Sequence, residues 1–244
     1  MKAMRFHSYG ASDVLTHEEV RRPEAASGQV VVQVAGTSFN PVDVAIRAGF
    51  LRDVFPVELP HVPNFDLSGV IAEVGEGVTA WNVGDAVVGF LSMTGPGAAA
   101  EYVTAPAEAL AAAPRGGDPA DAAALPSAAL TAWQSLFEHA GLTARQHVQI
   151  NGAGGAAGGY AVQLATRAGA VVTATASQRS QERVRAYGAD RIVDYTNNPF
   201  LVALVDDGEL RIEVAQRLPL TALVAVREDA AAGRLAGKTI LTPA

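Results

Sequence analysis

Asn151-Gly-Ala-Gly-Gly-Ala-Ala-Gly-Gly-Tyr-Ala-Val-Gln-Leu-Ala165 leads out of a short β-like run, His147-Val-Gln-Ile150, and into an apolar helix. A second β-like run, Ala170-Val-Val-Thr-Ala-Thr175, follows that helix. Strand, glycine-rich turn, helix and strand in this order make a dinucleotide-binding fingerprint. Glycines permit backbone angles that a Cβ forbids and let the main chain approach a pyrophosphate. The helix start adds free N–H groups and the positive end of a dipole. Two registers fit: Ala153-x-Gly155-x-x-Gly158 and Gly152-x-Gly154-x-x-Ala157. Ala153, Gly155, Ala156, Ala157 and Gly158 are therefore the candidate phosphate-binding positions. At the end of the second strand, Ala176-Ser-Gln-Arg-Ser180 carries no acid to hold a ribose 2′-hydroxyl. It offers the Ser177 hydroxyl and the Arg179 guanidinium, whose fork of donors suits a 2′-phosphate. NADP(H) is the expected cofactor; the competing reading makes this segment a solvated helix start capped by Ser177 or Ser180.

Working outward, the 244 residues allow one or two domains with a sizeable core, and 49% are hydrophobic, as in a globular protein. A net charge of −7 without a basic run argues against nucleic acid and anionic membrane partners. There is no cysteine, which excludes thiolate metal sites and cysteine nucleophiles and fits a reducing compartment. Residues 1–10 lack a signal-peptide core, and alanine runs such as 107–113 are too short and interrupted to span a bilayer. A cytoplasmic protein is expected.

Residues 1–105 read as short strands, among them 30–35, 69–74 and 85–90, separated by turns such as Gly75-Glu-Gly77 and Gly95-Pro-Gly97. This pattern predicts a small barrel-like β domain. Near Pro119 the character changes: 121–125 and 127–140 read as helices with Pro126 at the boundary. From His147, strands at 147–150, 170–175 and 191–194 alternate with helices at 156–168 and 178–187, as a parallel sheet requires. A helical stretch near 200–205, a turn at Asp206-Asp-Gly208, a strand at 210–214, a helix at 220–232 and a strand at 238–241 complete the reading.

Several ordered motifs then carry a resemblance. They include Phe39-Asn-Pro-Val-Asp43 with Ile46-Arg-Ala-Gly49, Pro60-His-Val-Pro-Asn-Phe-Asp-Leu-Ser-Gly69 and Val74-Gly-Glu-Gly-Val78. Ala99-Ala-Glu-Tyr-Val103, Leu130-Thr-Ala-Trp133, the glycine turn, Tyr187-Gly-Ala-Asp190 and Gly237-Lys-Thr-Ile240 extend it. Together they make the chain similar to the zinc-independent quinone oxidoreductase branch of the medium-chain dehydrogenase/reductase superfamily. The resemblance implies a GroES-like β-barrel domain over 1–118, completed by a strand at about 233–244, and a Rossmann-type domain over 119–232. It implies hydride transfer from NADPH to a small hydrophobic quinone or α,β-unsaturated carbonyl. It places Asn40, Asp43, Arg47 and Phe50 at the cleft, with Asn40 bonding near the nicotinamide or the substrate carbonyl, and Thr131 near the cofactor phosphate or nicotinamide ribose. Many relatives carry Tyr where this chain has Phe50, so proton donation from that position is lost. No metal is expected: the cysteine ligands of zinc-using relatives are absent, and His61 among prolines reads as structural. Asp66 and Asp85 read as local backbone hydrogen-bonders.

The family's Rossmann sheet has six strands in the order 3-2-1-4-5-6. Here the first three are followed almost directly by the domain's last helix and strand, a shortening of roughly 50–60 residues joined near 200–201. The fold class expected is α/β plus β, with a truncated parallel sheet. The exposed edge of the first Rossmann strand calls for cover, either from residues 210–214 or from a second subunit, so a homodimer is expected. Three functions remain open: an NADPH-dependent reductase, a non-redox cyclase or isomerase reusing the cleft, and a nucleotide-binding protein without catalysis.

Overall fold

β-branched residues crowd the segments 30–34 and 70–74, and both are strands in the computed structural model, which describes residues 1–196, 205–208 and 211–243. The chain divides into two compact units, Met1–Ala176 with Ser180–Ile192, and Ser177–Arg179 with Val193–Ala244.

In the first unit, β1 (Lys2–Phe6) and β2 (Leu15–Glu19) form an antiparallel ribbon. β3 (Gln29–Gly36), β4 (Asp66–Val74), β5 (Ala86–Phe90), β6 (Tyr102–Pro106) and β7 (Leu110–Ala112) form an antiparallel sheet in the order β6-β3-β4-β5-β7. Single bridges, Ala3 to Ala100 and Phe6 to His61, link the ribbon to neighbouring segments. The GroES-like part is thus an open five-stranded sheet plus a ribbon. Val30, Val32, Leu67, Ile71, Val87 and Val103 fill its core. Between β3 and β4 the chain makes helix α1 (Pro41–Arg47), with Pro41 in the first turn, where a missing N–H costs nothing.

Pro119–Ala124 is a 3₁₀ helix capped by the Asp118 carboxylate, which accepts from the Ala120 N–H at 2.9 Å. Helix α2 (Pro126–Trp133) follows and widens into a π-helical turn over Gln134–His139, where the Ala140 N–H reaches back to Ser135 O. Pro126 is the boundary that its chemistry predicts. At the widening, Ser135 Oγ donates to the Thr131 carbonyl at 2.7 Å, a back-bond that competes with the helical ladder.

β8 (His147–Ile150), α3 (Ala156–Arg167) and β9 (Val171–Ala176) form the βαβ unit, its strands parallel and in register from His147–Val171 to Ile150–Ala174. Helix α4 (Gln181–Ala186) leads to β10 (Arg191–Asp194), and the strand order is β10-β9-β8. This is the first half of a Rossmann sheet. Val162 of α3 and Val184 of α4 are fully buried with Val172 and Ala174 of β9, which closes the helices onto the strand. Among the described residues, β8 has a hydrogen-bonded neighbour on its β9 side alone.

The second unit contains β11 (Gln216–Pro219) and β12 (Thr239–Thr242), paired in parallel, with a 3₁₀ turn at Leu220–Ala222 and helix α5 (Leu223–Ala231) between them. The strand expected at 210–214 is corrected. Residues 211–214 have no regular structure, Ile212 is 73% exposed, and the ladder begins where the Ala215 N–H meets Lys238 O. An alternating apolar pattern makes a strand only where a partner is in register, and that partner is β12. Within the second unit β11 pairs with β12. The turn at 206–208 forms, with Gly208 at φ 74°. The helix expected at 200–205 falls almost wholly outside the described residues, as does the join near 200–201. Among the described residues, no helix is long and apolar enough to cross a membrane.

Candidate active site

Asp66, the first residue of β4, is fully buried. Its carboxylate collects donors from two segments. The Ser38 hydroxyl donates to Oδ2, and Asn40 Nδ2 donates to the same oxygen at 2.8 Å. From the first turn of α2, the Ser127 N–H donates to Oδ1 at 2.8 Å and the Ser127 hydroxyl lies 2.7 Å from Oδ2. The same hydroxyl lies 3.0 Å from Asn40 Oδ1. Asp66 is therefore not the local backbone hydrogen-bonder expected from sequence. Its partners lie 26 to 61 positions away, a separation no turn motif signals. Asp85 does behave locally, accepting from the Asn82 N–H at 2.7 Å.

This cluster lies at the wall of a cleft of about 630 Å³ lined by Asn40, Val42, Phe65, Phe90, Ser127 and Thr131. Asn40 and Thr131, separated by 91 positions in sequence, thus face one space. Asp43 and Phe50 do not line it. The Asp43 carboxylate accepts from the Asn40 N–H at 2.7 Å, fixing the start of α1, and lines a crevice of about 10 Å³ with His61. Burial raises the Asp43 pKa above the ordinary carboxylate value, and the neighbouring Asp66 charge adds to this against the Asn40 hydrogen bond. Arg47 donates to Gly10 O at 2.7 Å. Phe50 is 82% exposed. His61 is buried edge-on against Phe6, ring centroids 5.3 Å apart, and desolvation pushes its pKa down to about 4. Among the described residues no three His, Asp or Glu side chains converge as a metal site.

The glycine turn joins β8 to α3 and is tied to β9. Gly152 adopts φ 69°, and its N–H donates to Thr175 Oγ1 at 3.0 Å, while the Ala153 N–H donates to Thr175 O at 3.0 Å, tying the turn to β9. Gly155 is the N-cap of α3 and provides no side-chain cap. The first intrahelical bond drawn back to it comes from the Gly159 N–H, so the N–H groups of Ala156, Ala157 and Gly158 lie in the turn left open for a ligand. Both registers contain glycines that the backbone needs: a Cβ on Gly158 would stand 2.4 Å from Gly152 O, Gly152 adopts a positive φ, and a Cβ on Gly154 would stand 2.5 Å from Ser180 Oγ. Arg183, unremarked in the sequence, donates from Nη2 to Gly154 O at 2.6 Å and brings a cation to the turn. Ser177 is half-buried and Arg179 exposed, in the segment that follows β9. The residues present fit a dinucleotide phosphate at the turn.

Comparison with known proteins agrees with this construction. Residues 26–115 match the alcohol dehydrogenase GroES-like domain. The chain is 40% identical over 201 residues to a chloroplast envelope quinone oxidoreductase homolog of Arabidopsis thaliana, covering 80% of this chain and 61% of the relative. It is 37% identical over 205 residues to a chloroplastic NADPH-dependent alkenal/one oxidoreductase of the same plant, covering 80% of this chain and 53% of that one. The chain thus spans about three fifths or less of these relatives' length. Among solved structures, an alcohol dehydrogenase superfamily protein from Novosphingobium aromaticivorans superposes with a TM-score of 0.76 at 32% identity, over 92% of this chain and 68% of the other. A GroES-like sheet, a parallel βαβ sheet with its glycine turn, and these matches place the chain in the medium-chain dehydrogenase/reductase superfamily.

Proposed function

We propose that the protein is an NADPH-dependent reductase of quinones or α,β-unsaturated carbonyls, with residues 1–118 as its substrate-side domain and 119–232 as its nucleotide-binding domain. The observation that carries this reading is the amide of Asn40 at the wall of a largely apolar cleft it shares with Thr131, in the same compact unit as the glycine cradle. An apolar cleft with few oriented polar groups suits a small hydrophobic carbonyl. Asn40 donates a hydrogen bond to the carbonyl oxygen that gains charge during reduction, and donors aimed at such an oxygen favour the transition state over the ground state. Thr131 bonds the cofactor from the opposite wall. The N–H groups of Ala156, Ala157 and Gly158 hold the pyrophosphate, and Ser177 and Arg179 hold the 2′-phosphate. When bound, the cofactor supplies the hydride, and the protein's work is to place it. Asp43 secures α1 and so the position of Asn40. Phe50 contributes an apolar surface and no proton. The names of the relatives, a quinone oxidoreductase homolog and an NADPH-dependent alkenal/one oxidoreductase, support the substrate class.

The proposal includes a cytoplasmic homodimer. The absence of cysteine fits the compartment, and among the described residues β8 is hydrogen-bonded on its β9 side alone, an edge that a second copy would cover. Titrating NADPH by fluorescence and then adding a quinone while following reduced-nicotinamide absorbance tests the reading. Binding followed by quinone-dependent oxidation supports it. Binding without oxidation leaves a nucleotide-binding protein, and no binding favours a non-redox use of the cleft.

A further inference from the structure

We infer that Asp66 and Ser127 are positioning residues that lock the carboxamide of Asn40, presenting its free N–H to the cleft. The inference deepens the reductase reading and rests on it for the identity of the group that Asn40 meets.

Asp66 is wholly shielded from solvent, yet none of the ion pairs among the described residues involves it. Its neighbours are neutral donors: two hydroxyls, one amide and one backbone N–H. Burying a carboxylate without a cation is costly, and apolar residues of similar volume would join β4 to α2 at least as well. What a carboxylate adds is directionality. An ionised carboxylate only accepts hydrogen bonds, so it admits one orientation of the Asn40 amide, with Nδ2 toward it. The flipped amide would set Asn40 Oδ1 against Asp66 Oδ2, two acceptors at 2.8 Å.

Ser127 completes the lock. Its single hydroxyl proton has two acceptors, Asp66 Oδ2 at 2.7 Å and Asn40 Oδ1 at 3.0 Å. When the proton points to Asn40 Oδ1 it holds the amide oxygen away from Asp66, while the Ser127 N–H keeps Asp66 Oδ1 paired. One N–H of Asn40 is spent on Asp66; the second has no protein partner among the described residues and belongs to a side chain lining the cleft. Ser127 lies 87 positions from Asn40 and on a different element, so the donor's direction is set jointly by the GroES-like sheet and the helix that leads to the βαβ unit.

The test compares Ser127→Ala, Ser127→Thr and Asp66→Asn in the full chain. The Asn40 side-chain amide signals are followed by ¹⁵N NMR, assigned by their loss in Asn40→Ala. Steady-state kinetics use NADPH and 1,4-naphthoquinone. In the wild type the two Asn40 amide protons should be well separated and slow to exchange. Ser127→Ala should shift both signals toward the values of a free carboxamide and speed their exchange, and lower kcat about tenfold with the quinone KM within about twofold. Ser127→Thr, which keeps the hydroxyl, should restore both readouts. Asp66→Asn should act in the same direction more strongly; if its buried amide prevents folding, the Ser127 pair decides alone. Unchanged amide signals and unchanged kcat in Ser127→Ala would overturn the inference. If the wild type fails to oxidise NADPH with the quinone, the reductase reading falls, while the NMR comparison still supports or overturns the lock on its own.

Discussion

Asn40 and Asp66 meet through a 2.8 Å hydrogen bond that joins the start of α1 to the start of β4 across 26 positions of sequence. One partner is fully buried and the other lines the cleft, so a group in the interior dictates what the cleft presents.

Asn40→Ala should lower kcat for quinone reduction by roughly a hundred- to a thousandfold, the scale for losing one donor to a developing oxyanion. NADPH affinity should stay within a few fold, because the phosphate cradle is built from other residues. Steady-state kinetics beside a fluorescence titration separates the two. Equal losses in binding and turnover would instead mean that Asn40 acts mainly on the nucleotide.

His61 gives a pH dependence of stability. Its folded pKa of about 4 lies below the ordinary value of 6.5, so the fold favours the neutral ring. That contribution is complete above pH 6.5 and is lost progressively as pH falls toward 4, amounting to about 3 kcal/mol. Asp43 works in the opposite direction: its pKa is raised, so its burial costs stability as pH rises through its titration. Urea denaturation between pH 7.5 and pH 4.5 should show the wild type losing stability toward acid, with a visibly flatter profile in His61→Gln.

The strand-turn-helix-strand core was legible because local chemistry writes it. His147–Ile150 and Arg191–Asp194 fall where their apolar residues and flanking turns put them. The β8–α3 turn was read down to two registers, and the close approaches that demand glycine, 2.4 Å to Gly152 O at Gly158 and 2.5 Å to Ser180 Oγ at Gly154, are recorded by no sequence pattern. The polar cluster was not legible at all. Ser127 and Ser38 look like ordinary helix-start and loop residues, and only the packing of α2 and of the segment between β3 and α1 against β4 brings them onto Asp66. Residues 210–214 misled for the same reason in reverse: strand-like alternation carries no information about whether a partner exists.

Gly158→Ala should be more damaging than Gly155→Ala. The added methyl at 158 meets backbone at 2.4 Å, whereas at 155 the nearest atom is 3.3 Å away. Separating the turn from α3 should cost about 1–3 kcal/mol, the usual scale for overpacking, and weaken NADPH binding by at least about tenfold. Thermal unfolding with and without NADPH compares the two variants.

Arg179→Ala should weaken NADPH binding with little effect on NADH, since its proposed partner is the 2′-phosphate. Arg183→Ala should weaken both nucleotides alike, because Arg183 is tied to the Gly154 carbonyl of the shared cradle. The ratio of the two dissociation constants, measured by fluorescence for each variant, reads the difference directly.

We propose that this chain, which spans about three fifths of the length of its 40%-identical plant relative, transfers a hydride. The direct measurement is the rate of reduced-nicotinamide absorbance loss when purified protein and NADPH are mixed with 1,4-naphthoquinone, with Asn40→Ala as the control. The account predicts quinone-dependent oxidation by the wild type and a loss of at least about a hundredfold in the variant, with NADPH binding retained in both. Saturable NADPH binding with no oxidation by naphthoquinone or by any of a panel of enones would contradict it.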